Sequence, residues 1–389
     1  LKSSAYHSKS NMAQKQILII CGEASGEVHA ANLCRALKNI EPDIKISGVG
    51  SDLLRSAGAE IFYDIKGLAV LGLFDVLVKL PKFFTLKDLI LNRINKDKPD
   101  TIVLVDFSGF NLRLARAINN KIPVIYYISP QVWASRPGRI QTIKKYISKV
   151  IVIFPFEKEF YRKYGLDVDF VGHPMLDIAK PSMPKEEFLI QQGLATDKKT
   201  IALLPGSRKT EIKHILPLML IAGLFIRDKI KDVQFIIAKS PNVDWDIYNR
   251  ITRGINLSLE IIEGKTYDCL GAADFALVAS GTATLETAII GTPLAIIYKM
   301  GILNYLLYRP QVKIPYIGMI NIVAGKKIAE EFIQFKASPR AIADYVIKML
   351  GNPGELSALK QSLSSIRNSL GENKASLKTA QIILKTLQS

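Results

Sequence analysis

Residues 16–38 read QILIICGEASGEVHAANLCRALK. An apolar strand at 16–20 runs into a glycine turn and then the start of a helix, the opening unit of a nucleotide-type α/β domain. A dinucleotide fingerprint needs GxGxxG, followed about 20 residues later by an acid for the ribose. Here the glycines are Gly22 and Gly26, and Glu23 stands where a diphosphate would need bare backbone. A carboxylate repels a diphosphate, so the dinucleotide reading fails. Ser25 is expected to cap the helix, with Glu27 favoured in its first turn by the helix dipole. Glu23 and His29 remain as two polar groups near the ligand-facing end of a strand.

The same rhythm runs through the chain. IKISGVG (44–50), TIVLVDF (101–107), PVIYYI (123–128) and KVIVIF (149–154) are apolar on both faces, the pattern of buried parallel strands. It restarts with TIALLPG (200–206), VQFIIAK (233–239), LEIIEG (259–264), FALVAS (275–280) and PLAIIYK (293–299). A polar, proline-punctuated stretch at 173–199 reads as the linker region, and from Ser338 onward only helices are expected. The expected architecture is α/β, with two doubly wound, Rossmann-like parallel-sheet domains facing a cleft. Their expected extents are 14–175 and 176–337, followed by C-terminal helices at 338–389. Residues 1–13 are expected to be a disordered lead or a remnant foreign to the natural chain, with Met12 as the natural start.

At 389 residues the chain suits two domains, and 48% hydrophobic with 22% charged residues is the composition of a globular protein. No apolar run approaches the roughly 20 residues of a membrane span, and no signal-peptide core is present. Three cysteines without CxxC spacing argue against a disulfide framework or a Cys-based metal site. His29, His173 and His214 lack ligand spacing, so no metal and no cofactor is expected. The excess of 52 basic over 35 acidic residues points to an anionic partner without choosing among nucleic acid, a membrane face and phosphorylated substrates.

Ligands in doubly wound sheets bind beyond the carboxyl ends of the strands. Asp106 ends TIVLVDF, ahead of Ser108, Gly109 and Asn111, and reads either as a general base or as a turn aspartate before a helix at Leu112. YYISPQVWASRPGRI (126–140) gathers Ser129, Gln131, Trp133, Arg136 and Arg139 in one loop, where arginines could bind phosphate beside a flat indole. IALLPGSRKTEIKHI (201–215) is strand, tight turn and helix, placing Gly206, Ser207 and Arg208 where exposed amides and a guanidinium cradle a diphosphate. It lacks the Walker pattern. ALVASGTATLETAIIGTP (276–293) repeats the geometry with Ser280, Gly281 and Thr282, and Glu286 one turn in could chelate a ribose diol. Two phosphate-type turns with one helical acid favour a nucleotide-sugar over ATP. Segment 68–91, LAVLGLFDVLVKLPKFFTLKDLIL, reads either as a buried crossover helix or as an interfacial helix with Leu73, Phe74, Phe83 and Phe84 towards lipid.

Taken in order, GEASGEVHAANL, AVLGLFDVL, SPQVWASRPGRI, FPFEKEFYRKYG, FVGHPMLD, LLPGSRKTEI, ASGTATLE and NIVAG resemble lipid-A-disaccharide synthases, inverting glycosyltransferases of the GT-B fold. The resemblance implies condensation of UDP-2,3-diacylglucosamine with 2,3-diacylglucosamine 1-phosphate (lipid X). The products would be a β-1,6 tetraacyldisaccharide 1-phosphate and UDP. It implies Asp106 as base, Arg208 on the diphosphate, Glu286 on the ribose and Asn321 in the last donor loop. Glu23 and Ser25, together with His29, Ser129, Gln131, Trp133 and Arg136, fall on the acceptor side. It further implies a cytoplasmic enzyme peripheral to the inner membrane, a C-terminal segment exchanged between two protomers, and no nucleic-acid partner.

The sequence departs from the family at Glu27 (usually Asp), Ala30 (commonly Gly), Ser135 (usually Trp) and Ile320 (usually Pro). The last two bear on lipid contacts and loop stiffness rather than on the reaction. The alternative enzymatic reading is another UDP-GlcNAc enzyme of the GT-B fold, a peptidoglycan-type transferase or an epimerase. It would keep the logic of Arg208 and Glu286 without the SPQVWASRPGRI loop.

Overall fold

The computed structural model describes residues 14–66, 73–133, 138–302, 305–306 and 315–388, and at 24 and 73–80 the description is confined to the backbone. The expected lead at 1–13, the side chains of Leu73 and Phe74, and residues Ser135 and Arg136 lie outside it.

Two parallel sheets form, each in its own compact unit. The first holds β1 (Gln16–Ile20), β2 (Lys45–Gly50), β3 (Glu60–Asp64), β4 (Thr101–Val105), β5 (Val124–Tyr127), β6 (Lys149–Val152) and β7 (Asp169–Phe170), in the order β3-β2-β1-β4-β5-β6-β7. The second holds β8 (Lys199–Leu204), β9 (Val233–Lys239), β10 (Leu259–Glu263), β11 (Phe275–Ala279), β12 (Leu294–Tyr298) and β13 (Glu331–Ile333), in the order β10-β9-β8-β11-β12-β13. Helices cover both faces of such sheets, so Ile17, Leu18, Ile19 and Ile20 are all buried although their side chains alternate in direction.

The strand order reverses between β1 and β4 in the first sheet and between β8 and β11 in the second. Loops diverge at such switch points and leave a crevice. Gly22–Ser25 and Asp106 therefore leave the first sheet side by side, and Gly206–Arg208 and Ser280–Thr282 leave the second.

The first unit takes the described residues up to Ile153, Glu157–Gly172 and the chain from Lys374 on, and the second takes Phe154–Phe156 and His173–Asn373. Residues 173–199 are not a loose linker. They form the short helices Met175–Ile178 and Lys185–Gln191, and Phe188 and Leu189 are buried in the second unit. Asp268 anchors this stretch by accepting from the Ser182 hydroxyl at 3.0 Å.

The helical end divides. Helix Pro339–Gly351, capped by the Ser338 hydroxyl, packs on helix Lys209–Lys229, and helix Pro353–Ser369 packs on helix Thr282–Ile290. Helix Ala375–Thr386 packs instead on helix Ala24–Ile40 of the first unit, burying Ala375, Thr379, Ala380 and Ile383.

Helix Leu73–Asp97 contains Pro81 and buries Leu86, Ile90 and Ile94 along one face, as a crossover helix does. Each such aliphatic side chain contributes about 1.5–3 kcal/mol when fully buried. Phe83 turns inward onto Phe107 and Phe110, with ring centres 5.9 and 6.0 Å away, so its expected exposure to lipid gives way to packing. Phe84 is 58% exposed, and the Lys87 ammonium lies over its ring at 5.6 Å.

Candidate active site

In the first unit the site is built around one backbone irregularity. Asp106 and Phe107 both have φ of 49°, a left-handed conformation that costs ordinary residues on the order of 1–3 kcal/mol each. Three hydrogen bonds hold the turn. The Asp106 amide donates to the Tyr127 carbonyl (3.2 Å), and the Asp106 carbonyl accepts from Tyr126 Oη (2.6 Å) and Asn111 Nδ2 (2.8 Å). The Phe107 ring then lies flat on Gly22, where an added Cβ would come within 2.2 Å of it. Gly22 is thus needed for packing rather than for a phosphate.

The turn carries the Asp106 side chain beside helix Ala24–Ile40, where a Cβ added at Gly26 would stand 3.5 Å from the Asp106 Cβ. Burial, and then the charge of Glu23, push the Asp106 carboxyl up to about 6. Glu23 and Asp106 are thus brought together as a pair of carboxylates, one exposed and one half-buried. Near neutral pH Asp106 is ionised yet basic enough to accept a proton.

The remaining residues expected on the acceptor side are distributed unequally. Ser25 lies in the first turn of the helix and does not cap it. The cap position falls to Glu23, which makes no side-chain capping bond. Glu27 is buried and accepts from the Ser51 amide and hydroxyl, both at 2.6 Å, so it ties down the start of the next helix. Burial pushes His29 down to about 4, and its Nδ1 is buried without a hydrogen-bond partner, so the ring is neutral.

Ser129 and Trp133 share one partner that the sequence did not single out. Glu157 is buried and accepts from Ser129 Oγ (3.3 Å), Trp133 Nε1 (3.1 Å) and the Ile153 amide (3.3 Å). Gln131 is exposed. At the far end of the loop, Arg139 Nη1 donates to Ser108 Oγ at 3.1 Å, tying it to the helix that follows Asp106.

In the second unit Gly206 has φ of 110° and Arg208 is exposed at the N-cap of helix Lys209–Lys229. Glu211, three residues on, folds back over the loop. Its carboxylate accepts from the Ser207 amide at 3.2 Å and from Arg208 Nη1 at 3.0 Å. A Cβ at Gly206 would stand 2.5 Å from Glu211 Oε2, so only glycine admits this carboxylate.

Beside it, Gly281 is the N-cap of helix Thr282–Ile290, and Ser280 Oγ donates to the Ile317 carbonyl at 2.8 Å. Glu286 is half-buried. Burial raises its pKa against an opposing hydrogen bond from Thr282, and its charge adds to burial in raising the phenol of Tyr267.

The side chain of Asn321 is bonded within the protein. It is fully buried, donates to the Ala329 carbonyl and Glu331 Oε1 (both 2.9 Å), and accepts from the Ile328 and Ala329 amides (2.7 and 3.0 Å). Glu331 in turn accepts from the Gly318 amide at 2.9 Å. The pair frames the loop that Ser280 holds. No group of three metal-binding side chains occurs among the described residues.

A family profile described as lipid-A-disaccharide synthetase matches residues 17–386. The chain belongs to that family. A lipid-A-disaccharide synthase of Syntrophus aciditrophicus is 43% identical over 380 residues, covering 97% of this chain and 99% of that one. One from Coxiella burnetii is 37% identical, covering 96% and 98%. Family membership makes the chain a glycosyltransferase of lipid A biosynthesis, in agreement with the reading of its motifs.

Among solved structures, a putative UDP-N-acetylglucosamine 2-epimerase from Listeria monocytogenes superposes with a TM-score of 0.66 at 14% identity, covering 97% of each chain. The calicheamicin glycosyltransferase CalG4 gives 0.62 at 14%, covering 97% and 99%. At such identity these show the fold alone, and that fold is the expected GT-B pair of Rossmann-like domains. No described helix is long and apolar enough to cross a membrane.

Proposed function

We propose that this glycosyltransferase joins UDP-2,3-diacylglucosamine to the 6-hydroxyl of 2,3-diacylglucosamine 1-phosphate with inversion at the anomeric carbon. The observation that carries the reading is Asp106, a carboxylate fixed at a switch point and raised to about 6 by burial and then by Glu23. As the acceptor oxygen bonds to C1 of the donor, its proton passes to Asp106, and the bond from C1 to the diphosphate oxygen breaks with its electron pair on UDP. Arg208, the amides around Ser207 and the start of helix Thr282–Ile290 would take the charge that develops there. Such donors suffice for a diphosphate leaving group without a metal. Glu286 would hold the ribose, Glu23 a sugar hydroxyl, and the loop of Ser129, Gln131, Trp133 and Arg136 the acceptor.

Phe84 with Lys87 suits an enzyme peripheral to an anionic membrane face, the cytoplasmic side of the inner membrane. The C-terminal exchange expected of the family would dock helix Ala375–Thr386 on a partner's copy of helix Ala24–Ile40.

The test is release of UDP from UDP-2,3-diacylglucosamine with and without lipid X. Release that does not depend on the acceptor, or conversion of a UDP-sugar without transfer, would replace this reading with the epimerase or another UDP-GlcNAc enzyme.

A further inference from the structure

The second sheet ends in a buried ammonium. Lys239, the last residue of β9, is 2% exposed, and its Nζ donates to Glu263 Oε1 at 2.6 Å and to the Ser240 carbonyl at 3.3 Å. Glu263 closes the neighbouring strand β10, and its other oxygen accepts the indole N–H of Trp245 at 3.0 Å. The ammonium lies 5.0 Å from the centre of the Trp245 ring. Trp245 is nevertheless 42% exposed.

Removing a lysine from water costs several kcal/mol unless it is well paired. Here that cost is incurred to fix an exposed indole, through its nitrogen and through its π-face. The bland alternative is an anchor for the first turn of helix Trp245–Thr252, whose N-cap Asp244 makes no side-chain capping bond. Anchoring alone does not require the ring to stay open to solvent.

The place in the fold gives the ring a use. The pairing of Leu203 with Ile237, continued to the strand ends, sets Lys239 level with Pro205, the residue before Gly206. The phosphate-type turns leave β8 and β11, and the Glu286 charge reaches Tyr267 in the helix just after β10. Phosphates at β8 and β11 and a ribose at Glu286 would therefore lead the nucleoside towards the β9–β10 side, where Trp245 waits. We propose that Trp245, held by Glu263 and Lys239, is the stacking platform for the planar base of the nucleotide donor. This rests on the donor reading above.

The protein has two tryptophans, Trp133 and Trp245, so fluorescence can assign the contact. UDP and inorganic pyrophosphate are titrated into the wild type, Trp133→Phe, Trp245→Phe and Trp245→Ala, with fluorescence and calorimetry. UDP is expected to quench emission in the wild type and in Trp133→Phe but not in Trp245→Phe. Trp245→Ala should weaken UDP about tenfold, ~1.4 kcal/mol, with Trp245→Phe in between because it keeps a π-face. Pyrophosphate, which has no base, should bind all four alike. Unchanged UDP affinity in Trp245→Ala overturns the inference and leaves the donor reading standing. A wild type that binds neither UDP nor pyrophosphate sinks the donor reading, and this inference with it.

Discussion

The phenol of Tyr126 donates a 2.6 Å hydrogen bond to the carbonyl oxygen of Asp106, across the gap between β5 and β4. Burial, ahead of the charge of Asp106, raises the Tyr126 pKa and keeps the phenol protonated to do so. The bond holds a left-handed peptide in place, so the direction of the Asp106 carboxylate depends on a residue in the neighbouring strand. Tyr126→Phe keeps the ring and removes only this bond, leaving a buried carbonyl one partner short. The expected costs are roughly 1–3 kcal/mol of stability and a drop in turnover larger than the change in donor KM. Denaturant unfolding together with steady-state UDP release checks both, and unchanged turnover would free Asp106 from this control.

The raised pKa of Asp106 also sets a pH dependence. The base must be ionised, so the rate of UDP release should climb with pH along a limb with its midpoint near 6. Glu23→Gln removes the like charge that forms the second cause of the rise, and the limb should move to lower pH. A limb that stays in place would show that burial acts alone.

The same shift makes Asp106 a burden on the folded state. Its folded pKa of about 6 lies above the 3.8 of an ordinary aspartate, so its ionisation opposes folding. The penalty is absent where both states are protonated, grows as pH rises through that interval, and is complete above the folded value. Asp106→Asn should therefore be more stable than wild type at pH 8, on the order of 2 kcal/mol after allowing for its partial exposure. The difference should shrink towards pH 4, while UDP still binds and turnover is lost. Thermal melts at the two pH values test this, and an equal gain at both would trace it to relief of the left-handed backbone instead.

These consequences show where sequence reading stops. The strands were legible because buried parallel strands are apolar on both faces, and Ile17–Ile20 and Thr101–Val105 are clear cases. β3, β7 and β13 lie at or near sheet edges and are short or only half-buried, so they carry no such signal. Asp106, Arg208 and Glu286 attract a functional reading because they lie in, or one helical turn past, the turns that follow β4, β8 and β11. Glu157, Glu331 and Tyr126 do not, since their roles arise from partners that include ones 28, 13 and 20 residues away. Asn321 shows the converse, because a motif position does not reveal that its side-chain amide is already bonded to the chain around it.

The two adjacent phenylalanines offer a separation of roles. Phe83 packs on Phe107, which lies on Gly22, whereas Phe84 faces out beneath Lys87. Phe84→Ser should reduce sedimentation with vesicles containing phosphatidylglycerol and leave the melting temperature alone. Phe83→Ser should cost about 1–3 kcal/mol of stability through lost aromatic packing and so lower the melting temperature. Vesicle binding that survives Phe84→Ser removes this residue from the membrane contact.

Glu211 yields the sharpest test of the diphosphate loop. Its carboxylate holds the Ser207 amide and the Arg208 guanidinium, two of the donors that a diphosphate would use. A bound diphosphate and this carboxylate cannot share them without strong repulsion, so Glu211 must move when the donor arrives. Glu211→Gln keeps the side chain's shape and one acceptor but drops the charge. UDP should then bind several-fold more tightly, with some loss of stability in the unliganded protein because a charge-assisted contact at the helix start is weakened. Arg208→Ala should lose both UDP binding and turnover. Calorimetry with UDP decides between the roles. Weaker binding in Glu211→Gln would mean that the carboxylate orients Arg208 for the diphosphate rather than standing in for it.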